Sequence, residues 1–244
     1  GKEFVPGFTP TETGEVLYLD WETAVRPLNI RIKQLCRGQE MDYQRIRYLH
    51  CTGALADLYE NIAREIEKYE VKLIIVDSVE AATTGTRESG ADQNSAVMTM
   101  YQALRSFKTT TLLIDHINSQ QAFDKTKAVR KPYGSIFKYN YARYAFDLRQ
   151  TDEIRTPGIE HLGMYCTKYN DGPLPEAVGL EVSYDYLSTI YKRQRVTAGQ
   201  IMESLTLAQT IVAILGDGEM AVKYIAQRLG KTDADIRSAI SDNR

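Results

Sequence analysis

Short apolar segments alternate with amphipathic segments over most of the chain. This alternation is typical of an α/β fold in which helices connect the strands of a mostly parallel sheet. Strands are predicted at residues 16–19, 47–50, 73–76, 111–114, 144–148, 163–167 and 178–182. Flanking helices are predicted at 54–69 and 93–107, where apolar residues recur on one face. Because the last three strands follow one another directly, we expect an antiparallel edge on a mixed sheet.

Two of the predicted strands end in acidic residues. Strand 16–19 continues into Asp20-Trp21-Glu22, and strand 73–76 continues into Asp77-Ser78. In open α/β sheets, ligands bind in the crevice at the carboxyl ends of the strands. Two strands that each bring a carboxylate to that edge indicate a phosphate and Mg²⁺ site.

The pattern changes after residue 196. Residues 201–215, 220–229 and 231–241 are predicted to be helices, and 216–218 a turn. The last two helices resemble a helix-turn-helix, in which Thr232 caps the second helix and Ile236 and Ile240 face inward. Such modules bind DNA or dock proteins, and the few basic and acidic residues here favour neither use. We therefore expect two domains, residues 1–196 and a small helical domain at 197–244.

Composition excludes several classes of protein. With 43% hydrophobic and 25% charged residues, the 244-residue chain is typical of a soluble globular protein. The three cysteines are too few and too scattered for a disulfide framework or a zinc site, so we expect a reducing, cytoplasmic setting. No apolar run approaches the ~20 residues that a membrane span needs.

The net charge of −2 provides no overall attraction to nucleic acid, but basic residues are concentrated in one segment. Residues 122–149 contain seven basic side chains against two acidic ones. The basic residues are Lys125, Lys127, Arg130, Lys131, Lys138, Arg143 and Arg149. Residues 118–134 have no apolar period and are predicted to form a long loop. Either this loop binds single-stranded nucleic acid through its first four cations, or its charges are only solvated.

With these motifs in this order, residues 14–185 resemble the RecA-like P-loop ATPases, and within them the RepA and DnaB-type hexameric group. The resemblance implies that Glu22, in the Asp-x-Glu setting after Asp20, polarises the attacking water. It implies that Asp77 is the Walker B carboxylate, which holds Mg²⁺ through water, with Ser78 beside it. ATP and Mg²⁺ are the cofactors it implies.

One expected motif is missing from the chain. A P-loop has the pattern G-x-x-x-x-G-K-[ST], whose backbone and lysine bind the phosphates. Gly1-Lys2 is followed by Glu3 and supplies neither the glycine loop nor the hydroxyl. In the family the P-loop directly precedes a segment like residues 1–13, so we expect that it lies upstream of Gly1. The alternative is a degenerate homologue that does not hydrolyse nucleotide.

The resemblance also assigns residues farther along the chain. His116 follows the strand at 111–114, where the family senses the γ-phosphate. Lys168, in Lys168-Tyr169-Asn170-Asp171-Gly172-Pro173, matches a lysine that reaches the γ-phosphate of the next subunit. Asn170 stands where the family has an arginine finger, and an asparagine cannot supply that charge. Arg143 is the candidate replacement.

The leading hypothesis is an ATP-hydrolysing motor that assembles into a ring or filament of identical subunits on single-stranded DNA. A second hypothesis is a DNA-binding, initiator-like protein that uses the ATPase fold as a scaffold without significant hydrolysis. A third is a KaiC-like or sensory ATPase that acts on proteins. Glu22→Gln separates the first two, because only a motor would lose turnover. Salt-sensitive binding to single-stranded DNA separates the first from the third.

Overall fold

The structure is a computed structural model that describes residues 9, 11–42, 46–83, 93–116, 137–150, 156–194, 207–215 and 218–241. Its described residues fall into two compact units. The first unit contains the described residues of 9–116, 137–141 and 184–191, and the second contains those of 142–183 and 192–241. Within the described part of the chain, no helix is long and apolar enough to cross a membrane.

The first unit contains a parallel sheet of four strands. They are β1 (Val16–Asp20), β2 (Arg47–His50), β3 (Leu73–Asp77) and β4 (Thr110–Ile114), in the order β2-β1-β3-β4. The helices of this unit are α1 (Val25–Gly38), α2 (Tyr59–Tyr69), α3 (Val79–Ala82), α4 (Gln93–Ser106) and α5 (Phe137–Tyr141). A 3₁₀ helix, Leu55–Leu58, precedes α2, so the helix predicted at 54–69 is α-helical only from Tyr59 onward.

The two central strands of this sheet carry the apolar core. Leu17 and Leu19 on β1 and Ile74 and Val76 on β3 are at most 1% exposed. Apolar side chains of α2 and α4 pack in the same core. Strands buried in this way read as continuous apolar runs that stop where the strand reaches the edge of the sheet. This is why the ends of β1 and β3 could be located from the sequence.

Four strands form a second sheet, in the order β5-β6-β7-β8. They are β5 (Tyr144–Gln150), β6 (Ile159–Tyr169), β7 (Val178–Tyr184) and β8 (Thr189–Gln194). The pairs β5–β6 and β6–β7 are antiparallel. The expectation of one mixed sheet with an antiparallel edge was therefore wrong for the described residues, where the two sets of strands form separate sheets. Alternation along a strand predicts its faces, whereas sheet membership depends on long-range pairing.

Three helices near the C-terminus enclose a small core of their own. They are α6 (Leu207–Leu215), α7 (Val222–Leu229) and α8 (Asp233–Ser241), and Ile211, Ile225 and Ile236 are at most 2% exposed between them. Ile236 faces inward as predicted, but Ile240 is 36% exposed. The inward placement of Ile240 was wrong, because in the last turn of α8 the neighbouring Ala239 is the residue that packs against the small core.

Candidate functional site

The carboxyl edge of the parallel sheet brings Asp20 and Asp77 together. These residues end β1 and β3 and are register partners in the parallel pair. His50, at the end of β2, is the partner of Asp20 on its other side. Since the carboxyl ends of parallel strands meet at one edge, the two acidic segments found in the sequence leave the sheet at neighbouring points.

Asp20 shapes the turn that follows β1. Its side chain is fully buried, and its Oδ1 accepts hydrogen bonds from the backbone N–H groups of Glu22 and Thr23, both at 2.8 Å. Its other oxygen accepts the Thr23 hydroxyl. Burial raises the pKa of Asp20, but the hydrogen bonds from Thr23 and Glu22 outweigh burial and hold the pKa below its usual value. The carboxylate thus fixes the backbone that carries Glu22.

The turn is also tied to the strands on both sides. The Trp21 backbone N–H donates to the Asp77 carbonyl at 2.8 Å, and its indole N–H donates to the Gly53 carbonyl at 2.8 Å. The Cys51 N–H donates to the Asp20 carbonyl at 2.8 Å. These hydrogen bonds hold the turn after β1 between the ends of β2 and β3. They therefore restrain the backbone that carries Glu22.

Glu22 lies at the centre of the cluster. Its Oε1 accepts a hydrogen bond from the Ser78 hydroxyl, and the same oxygen lies 3.2 Å from Nε2 of His116. Its side chain is 37% exposed, so water can reach the carboxylate. The Ser78 hydrogen bond, with a smaller contribution from His116, holds the pKa of Glu22 below its usual value. The structure therefore brings Glu22, Ser78 and His116, three residues selected from the sequence, into contact.

Asp77 has a partner that the sequence analysis missed. Its Oδ2 accepts a hydrogen bond from the Tyr18 hydroxyl. Burial, followed by this hydrogen bond to Asp77, raises the pKa of Tyr18. The signal was present in the sequence, because Tyr18 precedes Asp20 by two residues and therefore lies on the same face of β1.

The donors near Asp77 suit a magnesium ion. Mg²⁺ is usually held in proteins by one or two carboxylates, with water and substrate phosphates as its remaining ligands. Within the described residues, no group of three or more His, Cys, Asp or Glu side chains forms a protein-only metal site. Tyr18 donates to Oδ2 of Asp77, and no donor from the described part of the chain contacts Oδ1. The residues present thus fit an ion that Asp77 holds through water.

Lys138 and Arg149 do not belong to an exposed basic surface, although both were counted in the basic segment. Lys138 is 4% exposed and its Nζ lies 2.9 Å from Oδ2 of Asp115. Arg149 is 6% exposed and its Nη2 lies 2.6 Å from Oδ2 of Asp147. The excess of seven basic over two acidic residues therefore overstates the exposed positive charge of this segment, because counting charges along a sequence does not distinguish solvated side chains from buried ion pairs.

Lys168 and Arg143 lie at the same end of the β5–β6 pair. Lys168 is half-buried on β6, opposite Ala145, and the Asn170 N–H donates to the Arg143 carbonyl at 3.2 Å. The Arg143 side chain is 75% exposed, and its Nη1 lies 3.8 Å from Oδ1 of Asp171. The second unit therefore brings these two predicted residues together.

The residues assigned to nucleic-acid binding lie outside the described residues, as do Gly1 and Lys2. The assigned residues are Lys125, Lys127, Arg130 and Lys131. The roles of these residues stay predictions.

The first half of the chain matches a known protein family. Residues 1–122, half of the chain, match the AAA domain, and this range includes β1–β4, Glu22, Asp77 and His116. No curated protein matches the sequence. The family match supports the P-loop ATPase part of the resemblance without singling out the RepA and DnaB-type group. The chain thus belongs to the AAA domain family of the P-loop ATPase superfamily.

Proposed function

We propose that this protein binds and hydrolyses ATP at the carboxyl edge of its parallel sheet. The observation that supports this most is the shared contact on Glu22, whose Oε1 meets both the Ser78 hydroxyl and His116. Asp77, directly before Ser78, provides a carboxylate for Mg²⁺ at the same edge. The AAA domain match supports nucleotide chemistry in general.

In this proposal the acidic residues have separate tasks. Asp20 is buried and bonded to its own turn, so its task is to hold Glu22 in place. Glu22 is ionised and accessible, and it orients the attacking water as hydrogen-bond acceptor. Asp77 would hold Mg²⁺ through water, and the ion, when bound, would neutralise charge on the phosphates. His116 responds to the γ-phosphate through its contact with Glu22.

Within the same proposal, the protein is a RecA-like motor that works as a ring or filament on single-stranded DNA. The support comes from the sequence resemblance and from the grouping of Lys168 and Arg143 at one end of β5–β6. In an oligomer these two cations would act on nucleotide bound to a neighbouring subunit. Lys125, Lys127, Arg130 and Lys131 would contact the phosphates of the nucleic acid.

Glu22→Gln tests the hydrolysis directly. We expect turnover to fall by ~10²–10⁴-fold with nucleotide binding retained, because the amide keeps the shape of the side chain and loses its basicity. Glu67→Gln, the same change at an exposed position of α2, is the matched control and should leave turnover unchanged. Equal turnover in both variants would refute the proposal. If the site is shared between subunits, mixing Glu22→Gln with Lys168→Ala protein should restore turnover that neither has alone.

A second candidate function is favoured by the C-terminal helices. Three residues join α7 to α8, and Gly230 ends α7 in the left-handed conformation, at φ 59°. The Asp235 N–H donates to the Thr232 hydroxyl at 3.2 Å and the Thr232 N–H donates to Oδ2 of Asp235 at 3.0 Å, which caps α8. A helix-turn-helix-like unit on a non-hydrolysing scaffold would retain its DNA or protein binding in Glu22→Gln.

A further inference from the structure

A buried ion pair lies beside the proposed catalytic cluster and has no part in the chemistry described so far. Asp115 follows β4 directly and precedes His116, and Lys138 belongs to α5. The Lys138 side chain is 3% exposed and that of Asp115 is 14% exposed. Nζ of Lys138 lies 3.0 Å from Oδ1 and 2.9 Å from Oδ2.

Stability alone is a weak reason for such a pair. Removing two charges from water carries a large desolvation cost, and well-packed apolar residues often stabilise the fold equally well. Burial raises the pKa of Asp115, and the hydrogen bond and charge of Lys138 only partly offset that rise. A carboxylate kept in a site that disfavours its charge suggests a role that depends on the position of the Asp115 side chain.

The chain itself links Asp115 to the catalytic cluster, because His116 is the next residue. Lys138 anchors the Asp115 side chain, and this anchor restrains the backbone at the end of β4, including the peptide unit that Asp115 shares with His116. The His116 side chain is 60% exposed, so packing does little to hold it, and its Nε2 lies 3.2 Å from Glu22.

The helix that carries Lys138, α5, is fixed against α4. The Tyr101 hydroxyl on α4 donates to the Lys138 carbonyl at 2.8 Å. Tyr141, at the other end of α5, packs on Tyr101 with ring centres 5.3 Å apart, and the guanidinium of Arg105 lies 4.9 Å from its ring centre. These contacts fix the position of the Lys138 ammonium group, which therefore links α4, through α5, to the end of β4.

We propose that the Asp115–Lys138 ion pair is a positioning element that holds His116 against Glu22. The pair does not touch nucleotide or the attacking water. It sets the backbone at the end of β4, so that His116 contacts the carboxylate proposed to orient the water. The catalytic role of the contact between His116 and Glu22 rests on the proposed function. The contact itself can be measured without nucleotide.

The test uses the imidazole ¹⁵N signal of His116, assigned by comparison with His116→Asn. In the unmodified protein, Glu22→Gln should shift this signal, because it removes the carboxylate that His116 contacts. In Lys138→Met protein, Asp115 loses its partner and releases the His116 backbone, so the response to Glu22→Gln should be lost. A full response in Lys138→Met protein would overturn the inference.

Arg149→Met is the matched control. It breaks another buried ion pair, Arg149–Asp147, whose side chains are 5% and 7% exposed, and should leave the response of His116 to Glu22→Gln intact. Loss of the response in this control as well would mean general loosening of the fold and would also overturn the inference. If Lys138→Met does not fold, Asp115→Asn weakens the same link with little change in shape and should reduce the response. Unchanged hydrolysis in Glu22→Gln would refute the proposed function and leave this result standing.

Discussion

The two sheets differ in where their charged residues lie, at the ends of strands in the parallel sheet and within a strand in the antiparallel sheet. In the parallel sheet, Asp20 and Asp77 occur where apolar strands end. In the antiparallel sheet, Asp147 and Arg149 lie within β5 and are buried, whereas Phe146 and Leu148 on the opposite face are 50% and 56% exposed. Alternation therefore tells which residues of a strand share a face, but it does not tell which face is buried.

This difference in position distinguishes structural charges, which are paired inside the protein, from available charges, which solvent or a ligand can reach. Arg149 donates to Oδ2 of Asp147 from Nε at 2.7 Å, and its guanidinium carbon lies 5.2 Å from the Tyr165 ring centre. Both members of the pair thus find their partners inside the protein. Glu22, by contrast, is supported by Ser78 and His116 while more than a third of its side chain faces solvent. A charge can serve a reaction only if it is held in place and also accessible.

The largest effect on stability is expected from Arg149→Met. This change leaves the Asp147 carboxylate buried without its cation, so the free energy of unfolding should fall by ~3–5 kcal/mol, measured by urea denaturation. Nucleotide binding should be unchanged in the folded protein, because the pair has no role in the proposed site.

Two further variants sharpen this prediction. Asp147→Leu combined with Arg149→Met removes both charges and should recover most of the lost stability. Lys192→Met breaks a pair whose lysine side chain is 67% exposed, and it should cost less than ~1 kcal/mol. If the double variant is as unstable as Arg149→Met alone, the uncompensated charge of Asp147 does not explain the loss of stability.

A smaller effect is expected from Asp20→Asn. The amide can accept only part of the hydrogen bonding that the carboxylate provides to Thr23 and Glu22, so the free energy of unfolding should fall by ~1–3 kcal/mol at neutral pH. Asp57→Asn, at an exposed position in the 3₁₀ helix, is the control and should have little effect.

The loss caused by Asp20→Asn should depend on pH. The pKa of Asp20 is lower in the folded protein than its ordinary value of 3.8, so the unfolded chain takes up the proton first as the pH falls. The stabilisation is therefore complete above the ordinary value and is lost as the pH falls through the native pKa. Denaturation curves recorded from neutral pH downward should converge for the two proteins, and a constant difference would contradict the role given to Asp20.

Much of the parallel sheet could be predicted from the sequence. Strand β2 has the predicted bounds, and β1, β3 and β4 differ from theirs by a single residue at one end. Helix α1 was missed, although Leu28, Ile32 and Cys36 recur at helical spacing after Pro27, which a first turn tolerates. Strand β8 was not predicted, because Lys192 and Arg193 interrupt its apolar pattern.

The candidate site was predictable where its residues follow strands. Glu22, Asp77, Ser78 and His116 come just after apolar segments, and parallel topology then brings them to one edge. The contact between Tyr18 and Asp77 joins residues 59 positions apart, and that between Asp115 and Lys138 spans 23 positions. Such pairs depend on strand register and helix docking, which local patterns do not determine.

The smallest effect is expected from Tyr18→Phe. The change removes one hydrogen bond to Asp77 and keeps the ring, so the free energy of unfolding should fall by ~0.5–1.5 kcal/mol. Tyr186→Phe, at a side chain that is 93% exposed, is the matched control and should leave the urea midpoint unchanged. Asp77 lies at an edge where water can replace the lost donor, whereas Asp147 is enclosed within its sheet. A loss as large as that of Arg149→Met would show that the edge carboxylates are held as rigidly as the buried pair, and would remove the distinction between available and structural charge.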